Sequence, residues 1–74
     1  MELMSTYYSD DGILEARVYL NNWGQFVNQY LVNNVIIKTE SYEDHSEEYH
    51  ENAAENFVLG VKKFTTVDVP EVLP

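Results

Sequence analysis

Residues 41–60 read SYEDHSEEYHENAAENFVLG, and this stretch decides the fold because it is the only one in the chain with helical character. Ser41 suits an N-cap, and Asp44 three residues on completes a capping box. Glu43, Asp44 and Glu47 then place negative charge at the positive end of the helix dipole. Gly60 suits the left-handed residue that ends a helix, and Lys62 and Lys63 follow near its negative end. The expected helix therefore runs from Ser41 to Gly60.

At about 100° per residue, Tyr42, Ser46, Tyr49, Ala53 and Phe57 fall within roughly 80° of one another, an aromatic seam for packing. Glu43, Asp44, Glu47, Glu48, Glu51 and Glu55 span roughly 140° on another side, with His45 and His50 at the borders. Ala54 and Val58 interrupt the acidic arc, and the small alanines allow close approach to whatever the helix covers. The helix holds six of the chain's 13 acidic residues and none of its four basic ones.

Outside the helix the signals are those of strands and turns. Residues 3–8, LMSTYY, form a short β candidate, and Asp11-Gly12 marks a hairpin turn. Ile13 to Leu20 alternates, with Leu14, Ala16, Val18 and Leu20 on one face and Glu15, Arg17 and Tyr19 on the other, the pattern of a strand with one buried side. Asn21-Asn22-Trp23-Gly24 is the next turn. In Gln25 to Val32 the apolar Phe26, Tyr30 and Val32 share a face with Asn28, so both faces are expected to be partly covered. Asn33-Asn34 is a two-residue hairpin turn, and VIIKTE, residues 35–40, runs into the helix. Thr65 to Val69 suits a short edge strand that Pro70 prevents from becoming central. The expected fold is α+β: an antiparallel meander of three to four strands with one acidic amphipathic helix across it. It forms a single domain over residues 1–69, followed by a flexible tail at 70–74.

Size and charge bound the function. Seventy-four residues without a cysteine allow one small core and no disulfide or thiolate metal site. Association into a homodimer is the remaining way to bury more surface. The net charge of −9, with only Arg17, Lys38, Lys62 and Lys63 basic, argues against direct contact with nucleic acid or an anionic membrane. It suits a basic protein surface. The N-terminal residues lack a basic and apolar leader pattern and no run reaches the about 18 apolar residues of a membrane span, so a soluble, cytoplasmic protein is expected.

No nucleophile elbow, P-loop or dinucleotide fingerprint is present, and no enzymatic activity and no cofactor are expected. Glu47-x-x-His50 has the spacing of the di-iron bundle element. Its carboxylates face away from the apolar seam, however, and a solvated acidic face is the expected reading, with no metal. Carboxylates one turn apart repel by a few tenths of a kcal/mol per pair, and nothing basic in the helix relieves them. Such a one-signed face suits electrostatic recognition of a groove that otherwise binds DNA or RNA. An inhibitor or modulator acting as a nucleic-acid mimic is the expected function, analogous in charge and size to small phage-encoded inhibitors. Its site residues are Glu43, Asp44, Glu47, Glu48, Glu51 and Glu55, with Trp23 as an added interface anchor. The alternative for Trp23, favoured by the usual burial of this residue type, is that it folds back over the core edge. The alternative function is a structural or assembly protein that dimerises through the sheet face carrying Arg17 and Tyr19.

Overall fold

The computed structural model describes residues 1–41 and 45–60. Four strands, β1 (Glu2–Tyr8), β2 (Leu14–Leu20), β3 (Phe26–Val32) and β4 (Val35–Ser41), precede one helix, α1 (Glu47–Val58). The strands form one antiparallel sheet in sequence order, β1-β2-β3-β4, and α1 lies across one face, mainly over β2 with β3 and β1 to either side. This is the α+β meander expected from the sequence. The expected strand at Thr65 to Val69 and the tail at 70–74 lie outside the described residues.

Each turn follows from its residues. Gly12 takes φ 75° and closes the first hairpin with Gly12 N–H donating to the Ser9 carbonyl at 2.9 Å. Asn33 and Asn34 sit at φ 51° and 68°, the paired left-handed conformations that a two-residue type I′ turn demands and that asparagine tolerates. This turn fixes Val32 opposite Val35. In the β2–β3 ladder Leu14 faces Val32, Ala16 faces Tyr30, Val18 faces Asn28 and Leu20 faces Phe26, so the alternating apolar side of β2 and the mixed side of β3 form one surface under the helix.

Both outer strands carry a bulge. The β1–β2 register shifts between Leu3 and Ser5, leaving Met4 as the extra residue. The β3–β4 register shifts between Tyr30 and Leu31, leaving Ile37 extra. Ile37 then packs against the core while Ile36 points to the other face, opposite Leu31. A bulge twists a strand and interrupts its free hydrogen-bonding edge, a common protection against unwanted strand pairing.

The core is small and closely packed. Ala16, Val18, Tyr30, Ala54, Phe57 and Val58 form one buried cluster, with Tyr7, Leu14, Phe26, Val32 and Ile37 packed around it. The Tyr30 and Phe57 rings meet at 4.9 Å between centroids, tilted by 57°. Ala16 and Ala54 are fully buried, and their small side chains let the helix backbone come close to the sheet.

The helix differs from its sequence expectation at its start and in its rotation. Ser41 is not a cap: it is the last residue of β4, paired with Val27, and a backbone engaged in that ladder cannot also open a helix. Ser46 is the N-cap instead, at φ −76° and ψ 169°, its Oγ accepting from Tyr49 N–H at 3.3 Å. At the other end Gly60 does take the left-handed conformation, φ 83°, with its N–H donating to the Phe57 carbonyl. The buried face is His50, Ala54, Phe57 and Val58, rotated by roughly 80° from the expected seam, taking 100° per residue. Tyr49 is 41% exposed, and its ring stacks on His45 at 3.9 Å.

The rotation has a polar cause. His50 is fully buried, and its Nδ1 lies 2.9 Å from Asn28 Oδ1. Asn28 Nδ2 donates to the His50 carbonyl at 2.9 Å and to Tyr30 Oη at 3.0 Å, and Tyr30 Oη donates to Glu40 Oε1 at 2.9 Å. With the Asn28 amide nitrogen committed to two oxygens, its Oδ1 is the atom left to face the imidazole, so Nδ1 carries the proton. Removing a partner from buried polar groups costs about 1–3 kcal/mol. Asn28→Ala strips His50 and Tyr30 together and should lower the free energy of unfolding by about 3 kcal/mol. Asn22→Ala, in the exposed second turn, should change it by less than about 0.5 kcal/mol. Urea denaturation followed by circular dichroism tests both, and equal stability of the two variants would show that the buried network does not hold the helix.

Candidate partner-binding surface

The carboxylates of α1 divide into one that is used and three that are free to face solvent. Glu51 is half-buried and accepts hydrogen bonds from Ser5 Oγ at 2.7 Å and from the Tyr7 hydroxyl, both on β1. It ties the helix flank to the first strand. Glu47, Glu48 and Glu55 are exposed. At 100° per residue the four glutamates lie within about 100° of arc, so they form one strip along the β1 side of the helix. Glu43 and Asp44, expected to extend the strip, lie outside the described residues.

Of the four basic residues, Arg17 and Lys38 are described and both lie on the sheet; Lys62 and Lys63 lie outside the described residues. Arg17, on β2, is on the sheet face away from the helix, where its Nε donates to Glu15 Oε2 at 2.6 Å. That bond to Glu15 is the chief cause raising the Arg17 pKa. Lys38 is on β4, opposite Tyr30. No basic residue stands in the last turn of the helix.

Trp23 is 83% exposed, so it does not fold back over the core edge as its residue type suggested. The reason is local. Asn21 Oδ1 accepts from the backbone N–H of Trp23 and of Gln25, each at 2.9 Å. Asn21 N–H donates to the Gln25 carbonyl at 2.9 Å, Gly24 N–H to the Asn21 carbonyl at 3.2 Å, and Gly24 takes φ 76°. A turn fixed in this way determines where the indole leaves the backbone. The turn and the start of the helix share one end of the sheet. Leu20 and Phe26 flank the turn, β4 ends there with Ser41 opposite Val27, and the Phe26 ring lies 5.9 Å from that of His50 in the first part of the helix.

The sheet face away from the helix carries Glu15, Arg17 and Tyr19 of β2, as expected. Leu3 lies opposite Tyr19 and Tyr8 opposite Glu15, and Leu3, Tyr8 and Ile36 are exposed. Glu15, Val27 and Leu31 on the same side are buried.

Glu47-x-x-His50 is not brought together as a ligand pair, because Glu47 is exposed while His50 lies under the helix against Asn28. Among the described residues no group of three or more His, Cys, Asp or Glu side chains is placed to hold a metal ion. Among them, too, no helix is long and apolar enough to cross a membrane. Comparison with protein-family models, with curated proteins and with solved structures finds no match.

The Tyr7–Glu51 contact has a measurable signature. The Tyr7 hydroxyl is pushed up to about 12, first by its hydrogen bond to the Glu51 carboxylate, then by burial and by the negative charges of Glu51 and Glu55. A group whose folded pKa exceeds its unfolded value of about 10 stabilises the fold fully below that pH and loses the contribution as pH rises towards about 12. Alkaline spectrophotometric titrations of the wild type and of Tyr7→Phe should differ by one tyrosine that ionises later than the exposed ones. Tyr7→Phe should remove that late step, and Glu51→Gln should bring it back towards the ordinary range. If the late part of the titration is the same in the wild type and in Tyr7→Phe, the Tyr7 hydroxyl is not the shifted group.

Proposed function

We propose that this chain is a small acidic binding protein, without catalytic activity of its own, that occupies the basic nucleic-acid-binding surface of another protein and so inhibits or modulates it. The observation that carries this reading is the exposed strip of Glu47, Glu48 and Glu55 on a helix that contains no basic residue. Repulsion between carboxylates one turn apart costs the helix a few tenths of a kcal/mol per pair, and a partner rich in Lys and Arg converts that cost into attraction. Groups of like sign focused on one side also steer the encounter and make it sensitive to salt. The helix suits such a role because its adjoining buried face is anchored by the His50–Asn28 link and by the core, so the strip is held in place before binding.

A second reading is favoured by the sheet face away from the helix. Leu3, Tyr8 and Ile36 are exposed there, and the Glu15–Arg17 pair is internally neutral. That face suits a homodimer with a structural or assembly role, in which the acidic helix serves solubility.

Immobilised protein should capture a nucleic-acid-binding protein from lysate at low salt, release it when DNA or RNA is added, and fail to capture it once Glu47→Lys, Glu48→Lys and Glu55→Lys are combined. Glu51 is left intact so that the link to β1 is kept. Capture unchanged by the triple reversal would refute the electrostatic reading. A dimer in sedimentation equilibrium that dissociates on Tyr8→Glu would favour the second.

A further inference from the structure

We infer that Trp23 and the first turn of α1 form one composite docking surface for a polypeptide segment bearing arginine or lysine, with a cationic side chain stacked on the indole. The inference rests on the proposed binding role and names the chemistry of the partner at one end of the sheet.

The energetics of the indole come first. A tryptophan buries more apolar area than almost any other side chain when it packs, yet Trp23 leaves 83% of its surface in water. Its position is not the result of a loose loop. The backbone around it is closed by the Asn21 side chain, which accepts from Trp23 N–H and Gln25 N–H and donates through Nδ2 to Gln25 Oε1 at 3.1 Å. A large ring presented by a pre-ordered turn loses little entropy on docking, which is the property of an interface anchor.

Charge then selects the occupant. The whole chain carries −9, and Glu47 and Glu48 are exposed at the same end of the sheet as the turn. Nucleic-acid bases also stack on tryptophan and lipid headgroups also accept it, but both bring phosphate to a polyanion. A second copy docked through this end would bring −9 against −9. A cationic polypeptide satisfies both halves of the surface. Guanidinium and ammonium groups are attracted to the face of an indole, the strongest of the aromatic side chains in this respect, while neighbouring cations on the same segment meet Glu47 and Glu48. Arginine is favoured over lysine because its planar group also stacks.

The test uses the full chain and a fluorescently labelled deca-arginine peptide as probe, with deca-lysine and deca-glutamate for comparison. Trp23 is the only tryptophan in the chain, so its emission reports this turn alone. Deca-arginine should quench it saturably at low salt, deca-lysine more weakly, and deca-glutamate not at all. By anisotropy of the peptide label, Trp23→Ala should weaken deca-arginine binding tenfold or more, and Trp23→Phe should retain part of the affinity. At this exposure neither variant disturbs the fold, which circular dichroism checks. Equal affinity of wild type and Trp23→Ala would overturn the inference while leaving the acidic-strip reading intact. Loss of binding on Glu47→Lys with Glu48→Lys but not on Trp23→Ala would do the same. No binding of deca-arginine to any form would overturn both.

Discussion

Everything in this small fold depends on how the single helix is seated on the sheet, and a pair of polar residues settles that. His50 and Asn28 bury one another through two hydrogen bonds, one to the imidazole and one to the His50 carbonyl. Two bonds between the same residues fix rotation and translation together: turning the helix breaks the ring contact, and sliding it breaks the carbonyl contact. Apolar packing alone would define this seat weakly, because the contacting cluster includes two alanines and two valines that could meet in several registers. The network then continues through Tyr30 Oη to Glu40 on β4, the strand that also sends Ile37 to the edge of the core. The chain of bonds thus links helix, central strand and outer strand.

Once the seat is fixed, the remaining features follow in order. Burial of His50, Ala54, Phe57 and Val58 turns Glu51 towards β1, where Ser5 and Tyr7 bind it, and leaves Glu47, Glu48 and Glu55 facing water. The acidic strip is therefore a consequence of where the neutral polar residues found partners. The bulges at Met4 and Ile37 act at the two outer strands. They let each strand serve both faces, with Ile37 in the core and Ile36 on the other side, and they make edge-to-edge pairing of copies less favourable.

The strands and turns were legible in the sequence because their signals are local. In the three turns Gly12, Gly24, Asn33 and Asn34 take the positive φ that their residue types favour, and the alternation in β2 names the side that faces the helix without knowledge of its neighbours. The helix start was not legible to the same degree. Both Ser41 and Ser46 suit an N-cap, and what separates them is the non-local pairing of Ser41 with Val27. The buried face was misjudged for a related reason. Apolarity assigns Tyr49 to the seam and His50 to the border, yet His50 is buried with its Nδ1 hydrogen-bonded to Asn28, and neither residue announces its partner 22 positions away. The exposure of Trp23 was hidden in Asn21, whose side chain closes the turn instead of leaving the indole to collapse inward.

The same distinction bears on how the surface is to be read. A charged strip that arises because other residues were buried needs no function to explain its position; the absence of any compensating lysine or arginine along the helix does call for an explanation. Mixed charges would spare the helix its internal repulsion. An exposed indole on a fixed turn works against solubility. The two features pull in opposite directions as solubility devices but in the same direction as recognition devices, since a cationic segment is attracted to carboxylate and to the indole face alike. The Trp23 turn and the first turn of the helix lie at the end of the sheet where β4 terminates.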